Sequence, residues 1–147
     1  MTPTPPRLLL AEDSEDDIVF IQRAFKKAGL PYPLEVARDG VEVIERLSAG
    51  APAITHALLD LKMPRKNGLE VLEWIRSRPD LEVRAAILTS SRMNEDVVRA
   101  YGLGADLYLV KPSSTGDLTM LAREMGAWVE RGRRPNLPES LLLPRPA

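Results

Sequence analysis

Cysteine is absent from these 147 residues, and histidine occurs once, at position 56. The first absence excludes disulfides and thiolate metal sites. The second excludes His-rich metal centres. His56 precedes an apolar run and reads as a loop or strand-edge side chain. An excess of either charge is also lacking: 20 basic residues stand against 21 acidic ones, for a net charge of −1. That balance supplies no basic stripe, so no nucleic-acid partner is expected. Long apolar runs are missing too. The stretch from Met1 to Arg7 lacks the apolar core of a signal peptide, and the Leu8-Leu9-Leu10 run after it is far too short to span a membrane. A cytoplasmic location with no membrane partner is the expectation.

What is present suits one folded unit. Hydrophobic residues make up 44% and charged residues 28%, the balance of a soluble globular domain with a single core. No internal repeat is visible. Proline is in excess, with 13 residues, three of them within 1–6 and four within 133–147. Residues 1–6 therefore read as a disordered arm, 7–132 as the folded domain and 133–147 as a Pro- and Leu-rich extension.

Within the domain, apolar runs alternate with helical periodicity five times. Short runs at 7–11, 34–37, 57–59, 85–88 and 106–110 read as strands, and those buried on both faces carry few polar residues. Helical spacing marks five helices between and after them. In the first, Phe20, Ile21, Ala24, Phe25 and Ala28 form the expected buried stripe, with Ile18 and Gln22 facing outward. In the second, Val41, Ile44 and Leu47 share a face. The last carries Leu118, Leu121, Ala122, Met125 and Val129. This alternation predicts a doubly wound α/β fold, with a parallel sheet, right-handed crossovers and helices on both faces.

Four of the runs end in reactive groups. The first ends in Glu12-Asp13, the third in Asp60, the fourth in Thr89-Ser90-Ser91 and the fifth in Lys111-Pro112. Each has an ordinary reading alone, as a helix cap or a surface lysine. Together they lie at the same end of successive parallel strands, where open α/β sheets build their sites. Three carboxylates so close would repel. A hard divalent cation relieves this, and Mg²⁺ typically takes one or two carboxylates plus phosphate oxygens. Lys111 is a compact cation for a phosphate oxygen, and Thr89 can donate to another. An aspartate can itself be the nucleophile, becoming an aspartyl phosphate.

At this point the sequence resembles the receiver domain of two-component response regulators, over about residues 6–131. The resemblance rests on Glu12-Asp13, on Asp60 within Leu-Asp-Leu-Lys-Met-Pro, on Thr89-Ser90, on Tyr108 and on Lys111-Pro112. It implies the flavodoxin-like (βα)5 arrangement with strand order 2-1-3-4-5. It further implies that a histidine kinase donates phosphate to Asp60. Mg²⁺ would be held by Glu12, Asp13, Asp60 and the backbone carbonyl of Lys62. Thr89 and Lys111 would bind the phosphoryl oxygens, and Thr89 and Tyr108 would form a switch pair. Glu12 departs from the family's commoner Asp, so its contact with metal is expected to run through water. Glu12-Asp13-Ser14 with Asp17, Arg38-Asp39-Gly40 and Thr89-Ser90-Ser91 look like the regulators paired with bacterial phytochrome kinases.

Three other readings fit less well. An aspartyl-phosphate phosphohydrolase wants an acid two residues after the nucleophile, where this chain has Lys62. A flavodoxin-like cofactor module needs a phosphate loop where this chain has Glu12-Asp13. A partner-binding pseudo-receiver would not need the full set of acceptor residues. Two interaction surfaces are expected. Ile18 and Gln22 on the first helix would dock the kinase. The four leucines of residues 133–147 would lie across a second copy near Trp128, giving a two-fold homodimer.

Overall fold

A computed structural model describes residues 5–50 and 52–147. The N-terminal arm expected at 1–6 lies largely outside the described residues. The elements run β1 (Leu8–Ala11), α1 (Glu15–Lys27), β2 (Leu34–Ala37), α2 (Gly40–Ser48), β3 (His56–Leu59), α3 (Gly68–Arg76), β4 (Arg84–Thr89), α4 (Asn94–Gly102), β5 (Leu107–Val110), α5 (Thr115–Arg131) and β6 (Leu142–Leu143). The sheet order is β2-β1-β3-β4-β5-β6, with the first five strands parallel and β6 antiparallel. This is the expected flavodoxin-like order with one strand added at the β5 edge.

Period-2 alternation divides the central strands between two cores. Leu9, Ala11, Ala57, Leu59, Ala85, Ile87, Tyr108 and Val110 face the layer of α2, α3 and α4. Leu8, Leu10, Leu58, Ala86, Leu88, Leu107 and Leu109 face α1 and α5. With both faces covered, polar chemistry can surface only at the strand ends.

Helix entries are set by side-chain caps. Ser14, Asp39 and Ser114 each accept the backbone N–H three residues on, and Asn67 forms a capping box with Glu70. In α1 the buried stripe is Ile18, Ile21, Ala24 and Phe25. Ile18 is only 2% exposed, whereas Phe20 is 47% exposed. The stripe is therefore rotated from the expected one. Ile18, Ile21 and Phe25 follow the i, i+3, i+7 spacing of a single face, and Phe20 falls outside it. In α2 the buried residues are Gly40, Val43 and Leu47, while Val41 and Ile44 are half-buried.

A further expectation, for His56, is corrected at the far end of the sheet. His56 is the first residue of β3 and is buried, its ring edge-on to Trp128 at 5.1 Å. Trp128 is itself buried. Residues 133–147 pack on their own domain: β6 pairs Leu143 with Tyr108 and Leu142 with Leu109. Leu141 and Leu142 are buried, and the Tyr101 hydroxyl donates to the Leu143 carbonyl at 2.5 Å. Among the described residues no helix is long and apolar enough to cross a membrane.

Candidate functional site: an acidic pocket around Asp60 and Lys111

Strand register brings the acids together. Leu59 pairs with Ala11, so Asp60 follows β3 beside Glu12 following β1, and the Asp60 N–H donates to the Ala11 carbonyl at 3.1 Å. Carboxylate oxygens of Glu12, Asp13 and Asp60 lie within 4.8 Å of one another. Lys111, just beyond β5, donates its backbone N–H to the Thr89 carbonyl at 2.8 Å. Its ammonium reaches Asp60 Oδ2 and Asp17 Oδ2, both at 2.9 Å, and contacts Glu12 Oε1.

The pocket is short of positive charge. Glu12 and Asp60 are buried, and Asp13 is exposed. Apart from Lys111, Glu12 Oε1 has no partner among the described residues. Burial pushes the Glu12 carboxyl up to about 7, outweighing the hydrogen bond from Lys111. Burial acts on Lys111 in the opposite sense, but its hydrogen bonds to Glu12, Asp17 and Asp60 prevail and hold the ammonium above the usual lysine range. Three carboxylates, those of Glu12, Asp17 and Asp60, thus share one ammonium, and Glu12, Asp13 and Asp60 together offer an all-oxygen donor set that fits a hard divalent cation.

The other expected residues border this pocket. Thr89, 2% exposed, ends β4, and its hydroxyl accepts the Ser91 N–H at 3.5 Å. Tyr108 is fully buried, and its hydroxyl donates to the Ser91 carbonyl at 3.0 Å, so the two expected switch residues meet through Ser91. Burial raises the Tyr108 pKa. The Lys62 side chain is exposed, and its N–H reaches Asp60 Oδ1 at 3.4 Å. Gln22 is exposed as expected; Ile18 is not available for docking.

Sequence reasoning missed Asp17 as part of the pocket. A signal was there: with Ser14 as cap, Asp17 is the third helical residue, and helical side chains lean towards the N-terminus. Gly68 supports the site from behind. A Cβ there would lie 2.2 Å from the Asp60 carbonyl oxygen, so only glycine lets α3 start against the end of β3.

The flavodoxin-like sheet thus carries an acid cluster, a lysine and a hydroxyl together at its carboxyl edge. Residues 8–123 match the response regulator receiver domain, and the chain belongs to that family. It is 33% identical to the response regulator Rcp1 of Synechocystis sp. over 134 residues, covering 86% of this chain and 91% of that one. The crystal structure of the Mn²⁺-bound form of Rcp1 has a TM-score of 0.78 at 32% identity, covering 89% of this chain and 99% of that one. The phosphorylated cyanobacterial phytochrome response regulator RcpA has a TM-score of 0.79 at 28% identity, over 90% of this chain and 99% of that one.

Proposed function

We propose that this chain accepts a phosphoryl group on Asp60 from a histidine kinase, in a Mg²⁺-dependent reaction, and signals through protein contacts. The observation that carries the reading is the buried Asp60 carboxylate, 2.9 Å from the Lys111 ammonium and grouped with Glu12 and Asp13. An Asp60 carboxylate oxygen attacks phosphorus in line. A P–O bond forms, the P–N bond of the donor phosphohistidine breaks, and the leaving imidazole takes a proton. Lys111 and the Thr89 hydroxyl bind the phosphoryl oxygens. Glu12, Asp13, Asp60 and the Lys62 carbonyl would hold Mg²⁺. When bound, it supplies charge neutralisation for the acids and the phosphoryl oxygens. Recruitment of Thr89 would weaken its contact with Ser91 and so bias Tyr108, a local charge event acting on a packed element.

Three finer points belong to the same proposal. The likeness to Rcp1 and RcpA supports a phytochrome-type kinase as donor. Kinase docking on α1 falls to Gln22 with the exposed Val19 and Phe20, because α1 borders the pocket through Asp17. A cytoplasmic homodimer completes the reading: main-chain pairing of β6 on β5 offers the same contacts to an arm from a second copy. The central test is mass spectrometry after incubation with acetyl phosphate and Mg²⁺. An adduct of about 80 Da is expected on the wild type and absent from Asp60→Asn. An equal adduct on both would place the acceptor elsewhere.

A further inference from the structure

An ammonium has three hydrogens, and three carboxylates surround that of Lys111: Glu12, Asp17 and Asp60. No donor is left over for a phosphoryl oxygen. One of the three must let go before Lys111 can bind a group arriving on Asp60, and the three are not equivalent.

The Glu12 side chain is 1% exposed and that of Asp60 9%, against 38% for Asp17. Releasing Glu12 would strand a buried carboxyl whose Oε1 has no other partner among the described residues. That is the costly way to break a buried pair. Asp60 is the acceptor itself. Asp17 belongs to α1, stands outside the group formed by Glu12, Asp13 and Asp60, and can be rehydrated where it stands. Its backbone is held independently of Lys111, since its N–H donates to the Ser14 hydroxyl at 3.3 Å.

We propose that Asp17 is a positioning residue, the exchangeable partner of Lys111. It steadies the ammonium at the pocket while Asp60 is free and gives it up to the phosphoryl group. This rests on the reading of Asp60 as the acceptor. The exchange has two consequences of the same sign. Asp17 competes with the phosphoryl oxygen for one N–H, and its charge repels the incoming anion. Removing that charge must strengthen phosphoryl binding.

The test is calorimetric titration of the full chain with beryllofluoride in the presence of Mg²⁺, beside titration with Mg²⁺ alone. Asp17→Asn should bind beryllofluoride about two- to fivefold more tightly than wild type, the scale of a part-exposed ion pair. Its affinity for Mg²⁺ alone should not rise, because one anion near the cluster has been lost. The gain should shrink at high salt, as screening weakens the exposed charge. A helix-capping or purely structural role for Asp17 would give no such opposition between the two ligands. Beryllofluoride binding equal to or weaker than wild type in both Asp17→Asn and Asp17→Ala overturns the proposal. Asp60→Asn separates the two readings. If wild type binds beryllofluoride and Asp60→Asn does not, the acceptor reading stands and Asp17 is judged on its own. If wild type fails to bind, both fall.

Discussion

Gly68→Ala is the sharpest probe of how the fold holds Asp60. A methyl at this position would sit 2.2 Å from the Asp60 carbonyl oxygen, 2.9 Å from its carbonyl carbon and 3.1 Å from Leu61 Cα. All three atoms are backbone, so no side-chain rotation relieves the overlap. The Gly68 N–H also donates to the Leu61 carbonyl at 3.1 Å, which stitches the start of α3 to the end of β3. Either α3 withdraws and loses that bond, or the backbone carrying Asp60 moves. Overpacking of this kind costs about 1–3 kcal/mol. The helix-propensity gain of Ala over Gly is only about 0.5–1 kcal/mol, so the net sign is destabilising. Gly116 is the internal control: it lies in the first turn of α5, and a Cβ there meets nothing within 4 Å. Gly116→Ala should stabilise by about 0.4–1 kcal/mol. Urea denaturation of both variants reads the stabilities, and acetyl phosphate labelling reads the pocket. Gly68→Ala should melt early and label slowly, and Gly116→Ala should do neither. Equal stabilisation in both variants would refute the close packing of α3 on β3.

Phe20→Glu should slow phosphoryl transfer from the cognate kinase and leave labelling by acetyl phosphate unchanged; equal slowing with both donors would indicate a damaged pocket instead. His56 should make stability fall in acid. Burial, with the Arg84 charge nearby, lowers its pKa from 6.5 to about 4, so the folded state favours the neutral ring. The unfolded chain then binds the extra proton between those values. The contribution is intact above 6.5 and is lost as pH falls towards 4, by up to about 3 kcal/mol. Urea titrations at several pH values should show this slope in wild type and not in His56→Phe. Deleting residues 133–147 removes the arm that two copies would exchange, so light scattering should find a dimer for the full chain and a monomer for the truncated one. Equal masses for the two would sink arm exchange.

The sheet and its site could be read from the sequence because burial on both faces leaves an unmistakable trace. Runs such as Ala57-Leu58-Leu59 carry no polar residue, so the first charge after them, Asp60, marks where the strand leaves the core. Helix faces were harder. In α2 the buried face is Gly40, Val43 and Leu47, again spaced i, i+3, i+7. Its first member is a glycine, which has no hydropathy to register but packs hard against Lys66, whose carbonyl oxygen would be 2.2 Å from a Cβ. Without that anchor Val41 and Ile44 look equally good. In α1 the same spacing begins at Ile18, and the larger Phe20 drew the expected stripe about a tenth of a turn away. Asp17 was hidden by a second sufficient role, as an acid in the first turn of a helix.

The arm illustrates a different limit. β6 is two residues long, too short for period-2 alternation, and what it recognises is the main chain of β5. Leu141-Leu142-Leu143 would look the same whichever groove received it. The need for a cover was legible elsewhere. Every residue of β5 is buried, and with only β4 beside it one edge would be left with unpaired N–H and C=O groups. An apolar strand with such an edge invites pairing with another chain. The sheet therefore requires something at β5. Which segment meets that requirement is decided by reach, through the turn at Gly132, and by the Tyr101 hydroxyl, which binds the Leu143 carbonyl across 42 positions of sequence.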